Sequence, residues 1–122
     1  MILLDTHAAI WIARRHRRAA ALKRYPRLYL SPVSILEVQF LLETGRLKGA
    51  MPDAVTALAA DPRWFVDEPP AERWFLAACE FVWTRDPFDR LLAAHARVRG
   101  WKLATADEQL LDSLPASDVI AL

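Results

Sequence analysis

Sulfur, glycine and long apolar runs are all scarce in this sequence. The only cysteine, Cys79, lies in an apolar helical pattern with no disulfide partner and no Cys/His cluster around it. That argues against a disulfide framework and structural zinc, and makes a reducing cytoplasm the expected setting. No apolar stretch approaches the roughly 20 residues that span a bilayer, and the opening Met1-Ile2-Leu3-Leu4 is cut at once by Asp5. Both observations argue against a signal peptide or membrane anchor. Three glycines in 122 residues leave little slack for linkers, and repeats and low-complexity segments are absent. With 54% hydrophobic residues, the chain can fill one core, so residues 1–122 are expected to form a single domain.

Charge is nearly balanced in sum, at +1, but not in placement. Residues 1–52 carry nine Lys/Arg against three Asp/Glu, and residues 53–122 carry seven against twelve. Arg14, Arg15, Arg17, Arg18, Lys23 and Arg24 fall in a stretch without a single acid. Such a run suits phosphates or an acidic partner, and equally a solvated helix face.

Short continuous apolar runs at Met1–Leu4, Leu28–Leu30, Trp64–Val66, Leu103–Ala104 and Val119–Leu122 read as strands buried on both faces. Helical periodicity covers 6–13, 32–45, 51–60, 71–82 and 87–99, with Gly45 and Gly100 as C-terminal stops. Strands alternating with helices predict an α/β, doubly wound domain with about five mostly parallel strands. In that architecture ligands collect beyond the carboxyl ends of the strands.

Four acids fall at such junctions. Asp5 ends the first strand, where an aspartate also serves as a helix cap. Glu37 stands on an apolar stripe with Val33, Phe40 and Leu41 on the helix opened by Ser31-Pro32. Burying an ionised carboxylate is costly without compensation, and the start at Pro32 moves Glu37 beyond a Ser34-x-x-Glu37 capping box. In Asp86-Pro87-Phe88-Asp89 the first aspartate reads as the N-cap, while Asp89 shares a face with Leu92, Ala93 and Ala96 and points toward the strand ends. In Thr105-Ala106-Asp107-Glu108 a Thr105/Glu108 capping box leaves Asp107 unexplained. Each acid alone is weak evidence; their coincidence at one crevice is the argument. Oxygen donors without Cys or His favour Mg2+ or Mn2+ over zinc.

Leu3-Leu4-Asp5-Thr6-His7, Ser31-Pro32-Val33-Ser34-Ile35-Leu36-Glu37, Arg85 to Ala96 and Leu103-Ala104-Thr105-Ala106-Asp107 occur in this order across nearly the whole chain. Together they resemble the PIN-domain nucleases, and within them the VapC toxins of toxin–antitoxin pairs. Asp-Pro-Phe-Asp-Arg-Leu-Leu is the sharpest element. The resemblance implies a PIN-like fold and a metal-dependent endoribonuclease toxin whose catalytic, metal-binding acids are Asp5, Glu37, Asp89 and Asp107. Thr105 takes the place of the supporting hydroxyl, and Asp86 is a further supporting residue. It also implies RNA as substrate, Mg2+ or Mn2+ as cofactor, an antitoxin partner docking near Trp11 and Phe40, and a homodimer. The short arginine-rich interval between Trp11 and Leu28 departs from relatives that hold a longer loop and helix there.

Two other classes compete: a catalytically silent PIN-like RNA- or protein-binding module, and an acidic-pocket phospho-receiver or phosphotransfer domain. His7 stands where an Asp-x-Asp phosphotransferase would want a second acid, and no lysine follows the last strands. His7, His16 and His95 form no recognisable catalytic arrangement and read as structural or surface residues. The tryptophans, Trp11, Trp74 and Trp83 among them, read as core and interface anchors.

Overall fold

The computed structural model describes residues 1–122. Five parallel strands, β1 (Ile2–Leu4), β2 (Leu28–Leu30), β3 (Phe65–Val66), β4 (Lys102–Thr105) and β5 (Val119–Ala121), form one sheet in the order β3-β2-β1-β4-β5. Leu3 pairs with Tyr29 on one side and Leu103 on the other. Central β1 is therefore buried on both faces, which is why its sequence is continuously apolar. Alternation along the strand sends Ile2 and Leu4 to one core and Leu3 to the other.

The helices are α1 (Thr6–Ala13), α2 (Pro32–Glu43), α3 (Ala54–Ala60), α4 (Ala71–Ala78), α5 (Pro87–Arg99) and α6 (Glu108–Ser113). Residues of α1, α2 and α3 supply the Leu4 core, with Val38, Leu58 and Trp64. Those of α4, α5 and α6 supply the Leu3 core, with Trp74, Leu92 and Leu110. Ala93, Ala94 and Ala96 let α5 approach the sheet closely. No helix is long and apolar enough to cross a membrane.

Several boundaries differ from the sequence reading. Helix α2 stops at Glu43, with Thr44 as cap and Gly45 just beyond it at φ 70°. Pro52 sits in a turn and α3 starts only at Ala54. Helix α4 ends at Ala78 rather than 82, because the chain turns there to bury Phe81 while Val82 faces solvent. A 3-10 helix at Arg17–Arg24 and a short 3-10 turn at Ala116–Asp118 had no predicted counterpart, and of α6 only the start, at Thr105–Glu108, was read from the sequence.

The chain leaves β1 to build β2 and β3 on one side, then returns to place β4 and β5 on the other. Connections from β1 and β4 thus diverge at neighbouring strand ends and open a crevice there. Asp5 follows β1 directly, and Asp107 lies two residues beyond β4.

Candidate active site

Asp5 is the N-cap of α1: its Oδ1 accepts from the Ala8 N–H at 2.7 Å. The side chain is buried, and burial pushes its pKa up against the Thr105 hydroxyl, the Ala8 N–H and the His7 charge, which lower it. Capping therefore accounts for a local role of Asp5 but not for enclosing a carboxylate beside other acids.

Glu37 lies in the second turn of α2, opened by Ser31, whose hydroxyl accepts from the Val33 N–H at 3.2 Å. It is not a capping-box acid. The Thr6 hydroxyl donates to Glu37 Oε1 and stands 2.9 Å from the Ser34 hydroxyl, joining α1 to α2. Burial raises the Glu37 pKa, with the Thr6 hydrogen bond opposing it. Thr6 and Ser34, both buried, are the positioning groups that the sequence reading missed. Their only signal is that Thr6 adjoins Asp5 and Ser34 precedes Glu37 by less than a turn.

Asp86 caps α5, accepting from Phe88 N–H at 2.9 Å and Asp89 N–H at 3.4 Å, as expected. Asp89, one turn in, is pushed up to about 7 by burial and then by the charges of Asp86, Asp107, Glu37 and Asp5. Asp107, not the predicted Thr105/Glu108 box, caps α6: its Oδ1 accepts from Leu110 N–H at 3.0 Å. Thr105 belongs to β4, where its buried hydroxyl accepts from Asp107 N–H at 3.0 Å and faces Asp5. That placement in the strand is why no box forms.

Asp5, Glu37, Asp89 and Asp107, from four separate stretches of chain, thus share one electrostatic neighbourhood with Asp86. They are not drawn together tightly. No three acidic, histidine or cysteine side chains are gathered as an ion-holding cluster. Like charges repel, and Ala8 N–H, Thr6 and Leu110 N–H each hold a different acid locally. The donor set nevertheless suits a hard divalent cation: it is all oxygen, and the charges that act most strongly on Asp89 are negative.

A raised carboxyl pKa makes stability fall with pH, since between about pH 4 and 7 the unfolded chain releases a proton that folded Asp89 retains. Asp5 and Glu37 act in the same direction. With chelator present, the wild type should melt lower at pH 8 than at pH 5, and Asp89→Asn should flatten that fall. Thermal melts at both pH values check it; equal slopes would show that Asp89 is an ordinary surface acid.

Among the remaining expected groups, His95 is fully buried and bonded to Asp67, outside the crevice, whereas His7 is exposed beside it. Trp74 and Trp64 are core residues, while Trp11 and Trp83 are half-buried. Trp11 stacks on His16 and lines a basic cavity, whereas Phe40 packs on Phe88 of α5.

A parallel sheet with acids at its switch point is common to many folds, so comparison with known proteins separates them. The chain is 30% identical over 116 residues to Ribonuclease VapC22 of Mycobacterium tuberculosis, covering 89% of this chain and 88% of that protein. A toxin–antitoxin complex from Klebsiella pneumoniae has a similar fold, with a TM-score of 0.68 at 19% identity, covering 99% of this chain and 97% of its own. So does VapC20 of M. tuberculosis, a sarcin-ricin loop cleaving toxin, with a TM-score of 0.63 at 23% identity over 94% and 97% of the two chains. Residues 2–114 match the PIN domain family, and with sheet order, crevice and sequence in agreement, the chain belongs to that family.

Proposed function

We propose that residues 1–122 act as one domain, a Mg2+- or Mn2+-dependent endoribonuclease that is the toxin of a toxin–antitoxin pair. The observation that carries this reading is the electrostatic neighbourhood that Asp5, Glu37, Asp89 and Asp107 share at the switch point of the sheet, where burial, and then the neighbouring acids, push Asp89 up to about 7. The 30% identity to a ribonuclease supports RNA as the substrate.

A bound divalent cation would supply an activated water and neutralise charge on the phosphate and the leaving oxygen. The residues of the chain do the rest. Asp5, Glu37, Asp89 and Asp107 offer carboxylate oxygens to the cation. Thr6 fixes the orientation of Glu37, and Thr105 faces Asp5 while anchoring the turn that carries Asp107. Asp86 fixes the first turn of α5 and hence the direction of Asp89. In the metal-free protein Asp89 keeps its proton up to about 7, so cation and proton compete for it and cation binding tightens as pH rises.

For the antitoxin partner the surface near Trp11 and Phe40, which pack on His16 and Phe88, gives way to the apolar cleft between α1, α2 and α3, about 290 Å³ in volume, bordered by Ile10, Val38, Leu47, Met51 and Leu58. The exposed Phe75 and Leu76 of α4 are assigned to a homodimer face. An unpaired, exposed Cys79 fits a cytoplasmic setting.

Purified protein incubated with total RNA should give discrete fragments with Mg2+ or Mn2+ and none with EDTA. Intact RNA in every lane would leave the silent binding module as the better reading.

A further inference from the structure

The crevice accounts for the acids but not for the cations of the N-terminal half. Seven basic residues lie between Arg14 and Arg27, and none of them forms a salt bridge. Several surround a cavity of about 490 Å³ whose floor includes Ala19, Leu22 and Leu28 and whose rim carries Arg15, Arg17, Lys23 and Arg63, with no acid in the lining. Arg63 is engaged by Asp61 at 2.5 Å; Arg15, Arg17 and Lys23 are exposed and uncompensated. Leu28 is the first residue of β2, so the cavity sits at the amino ends of the strands, opposite the acids.

Helix α1 connects the two. His7 and Trp11, four residues apart, share a face of α1, and Arg15 follows in the turn just past its end at Ala13. At one end His7 lies close enough to Asp5 and Glu37 for its charge to act on both. Next along, the His7 and Trp11 rings are 6.5 Å apart, His16 stacks on Trp11 at 5.3 Å, and the Arg18 guanidinium lies 4.6 Å over the same ring. Aromatic rings interleaved with cations are the pattern on which single-stranded nucleic acid is held, bases by stacking and phosphates by charge. An acidic peptide would use the cations but has no need of rings or of a track leading to the acid crevice.

We infer that the α1 face and the basic cavity form an exosite for the single-stranded RNA that flanks the scissile phosphate, its backbone seated on Arg15, Arg17 and Lys23. This rests on the ribonuclease reading above. It assigns the site to phosphate and base stacking, so it favours unpaired RNA without selecting a sequence.

The test uses the full chain carrying Asp5→Asn, so that RNA is bound but not cut, and the same chain with R15N, R17Q and K23Q added. Asn is chosen at position 15 because Arg15 has φ 54°, the only positive value outside glycine, and Asn tolerates that region. Fluorescence anisotropy with a labelled single-stranded RNA is measured across a salt series, alongside a labelled polyglutamate peptide. Loss of three phosphate contacts should weaken RNA binding at least tenfold near 0.1 M salt and reduce the salt slope by about 2. Unchanged RNA affinity and slope would overturn the exosite, as would a loss confined to polyglutamate, which would make the patch a docking place for an acidic protein. The two readings separate cleanly: with wild-type protein that cuts RNA, unchanged binding removes the exosite alone, whereas wild-type protein that neither cuts nor binds RNA removes the ribonuclease reading as well.

Discussion

Asp5→Asn should lower metal-dependent RNA cleavage by roughly a thousandfold, the upper range for loss of one preorganised electrostatic group, without unfolding the protein. The two outcomes are separable because Asp5 has two jobs. As the cap of α1 it accepts from Ala8 N–H, and an asparagine amide oxygen does this nearly as well. As a buried anion beside Glu37, Asp89 and Asp107, it supplies negative charge that asparagine cannot. Burial already raises its pKa, so neutralising it in metal-free protein should leave the melting temperature unchanged or higher. Fragment yield from a defined RNA, set beside a thermal melt, reads both. A variant that melts normally and still cuts at the wild-type rate would remove Asp5 from the chemistry.

The largest stability loss from a single polar truncation is expected at Asp67, on the segment joining β3 to α4. Its carboxylate accepts from Arg99 through Nε at 2.9 Å and Nη2 at 3.0 Å, and from His95 Nε2 at 2.8 Å. Burial alone would raise the Asp67 pKa, but hydrogen bonds from Arg99 and His95 bring it below the ordinary range. His95 is 0% exposed, packs edge-on against Trp74, and its Nδ1 has no partner. It is held neutral by burial, so Nε2 carries the proton donated to Asp67. Asp67→Ala would leave that N–H without a partner in the core and release the guanidinium. The cost should be about 3 kcal/mol, the upper end for hydrogen bonds to a charged group, or a melting temperature about 10 °C lower. Arg97→Ala, which removes an ion pair to Glu80 with both side chains over half exposed, should cost under about 1 kcal/mol. Urea denaturation ranks the two; similar losses would mean that the buried geometry adds nothing to Asp67.

The parts of the fold legible from sequence are those where one local signal suffices. Helix α5 runs Pro87–Arg99 as expected because Asp86-Pro87 starts it and Gly100, at φ 69°, stops it. The strands were legible as continuous apolar runs, although the sheet uses Trp64 as a core side chain just before β3. In Arg17–Arg24 only Ala19 and Leu22 are buried. That three-residue spacing suits a 3-10 helix and falls outside a search at 3.6. Glu37 stood out as an acid on an apolar stripe, but its contact with Thr6 joins residues far apart in sequence, which no local pattern records. Asp107 was displaced from its cap by assigning Thr105 to the helix, whereas the ladder places Thr105 opposite Ala121 of β5. How closely the four acids approach one another depends on those long-range partners, so spacing in sequence could not give it.

Because β1 is the middle strand, it must wait for a neighbour made nearly a hundred residues later: Asp5 N–H donates to Ala104 O at 3.0 Å. A ribosome delivers residues 1–66 well before β4 exists. Until Lys102–Thr105 emerges and docks, the nascent polypeptide has at most three of the four acids, lacks Asp107, and has an open sheet edge. Any chemistry that needs Asp5 and Asp107 together is thereby withheld from the cell until Asp107 itself has left the ribosome and docked.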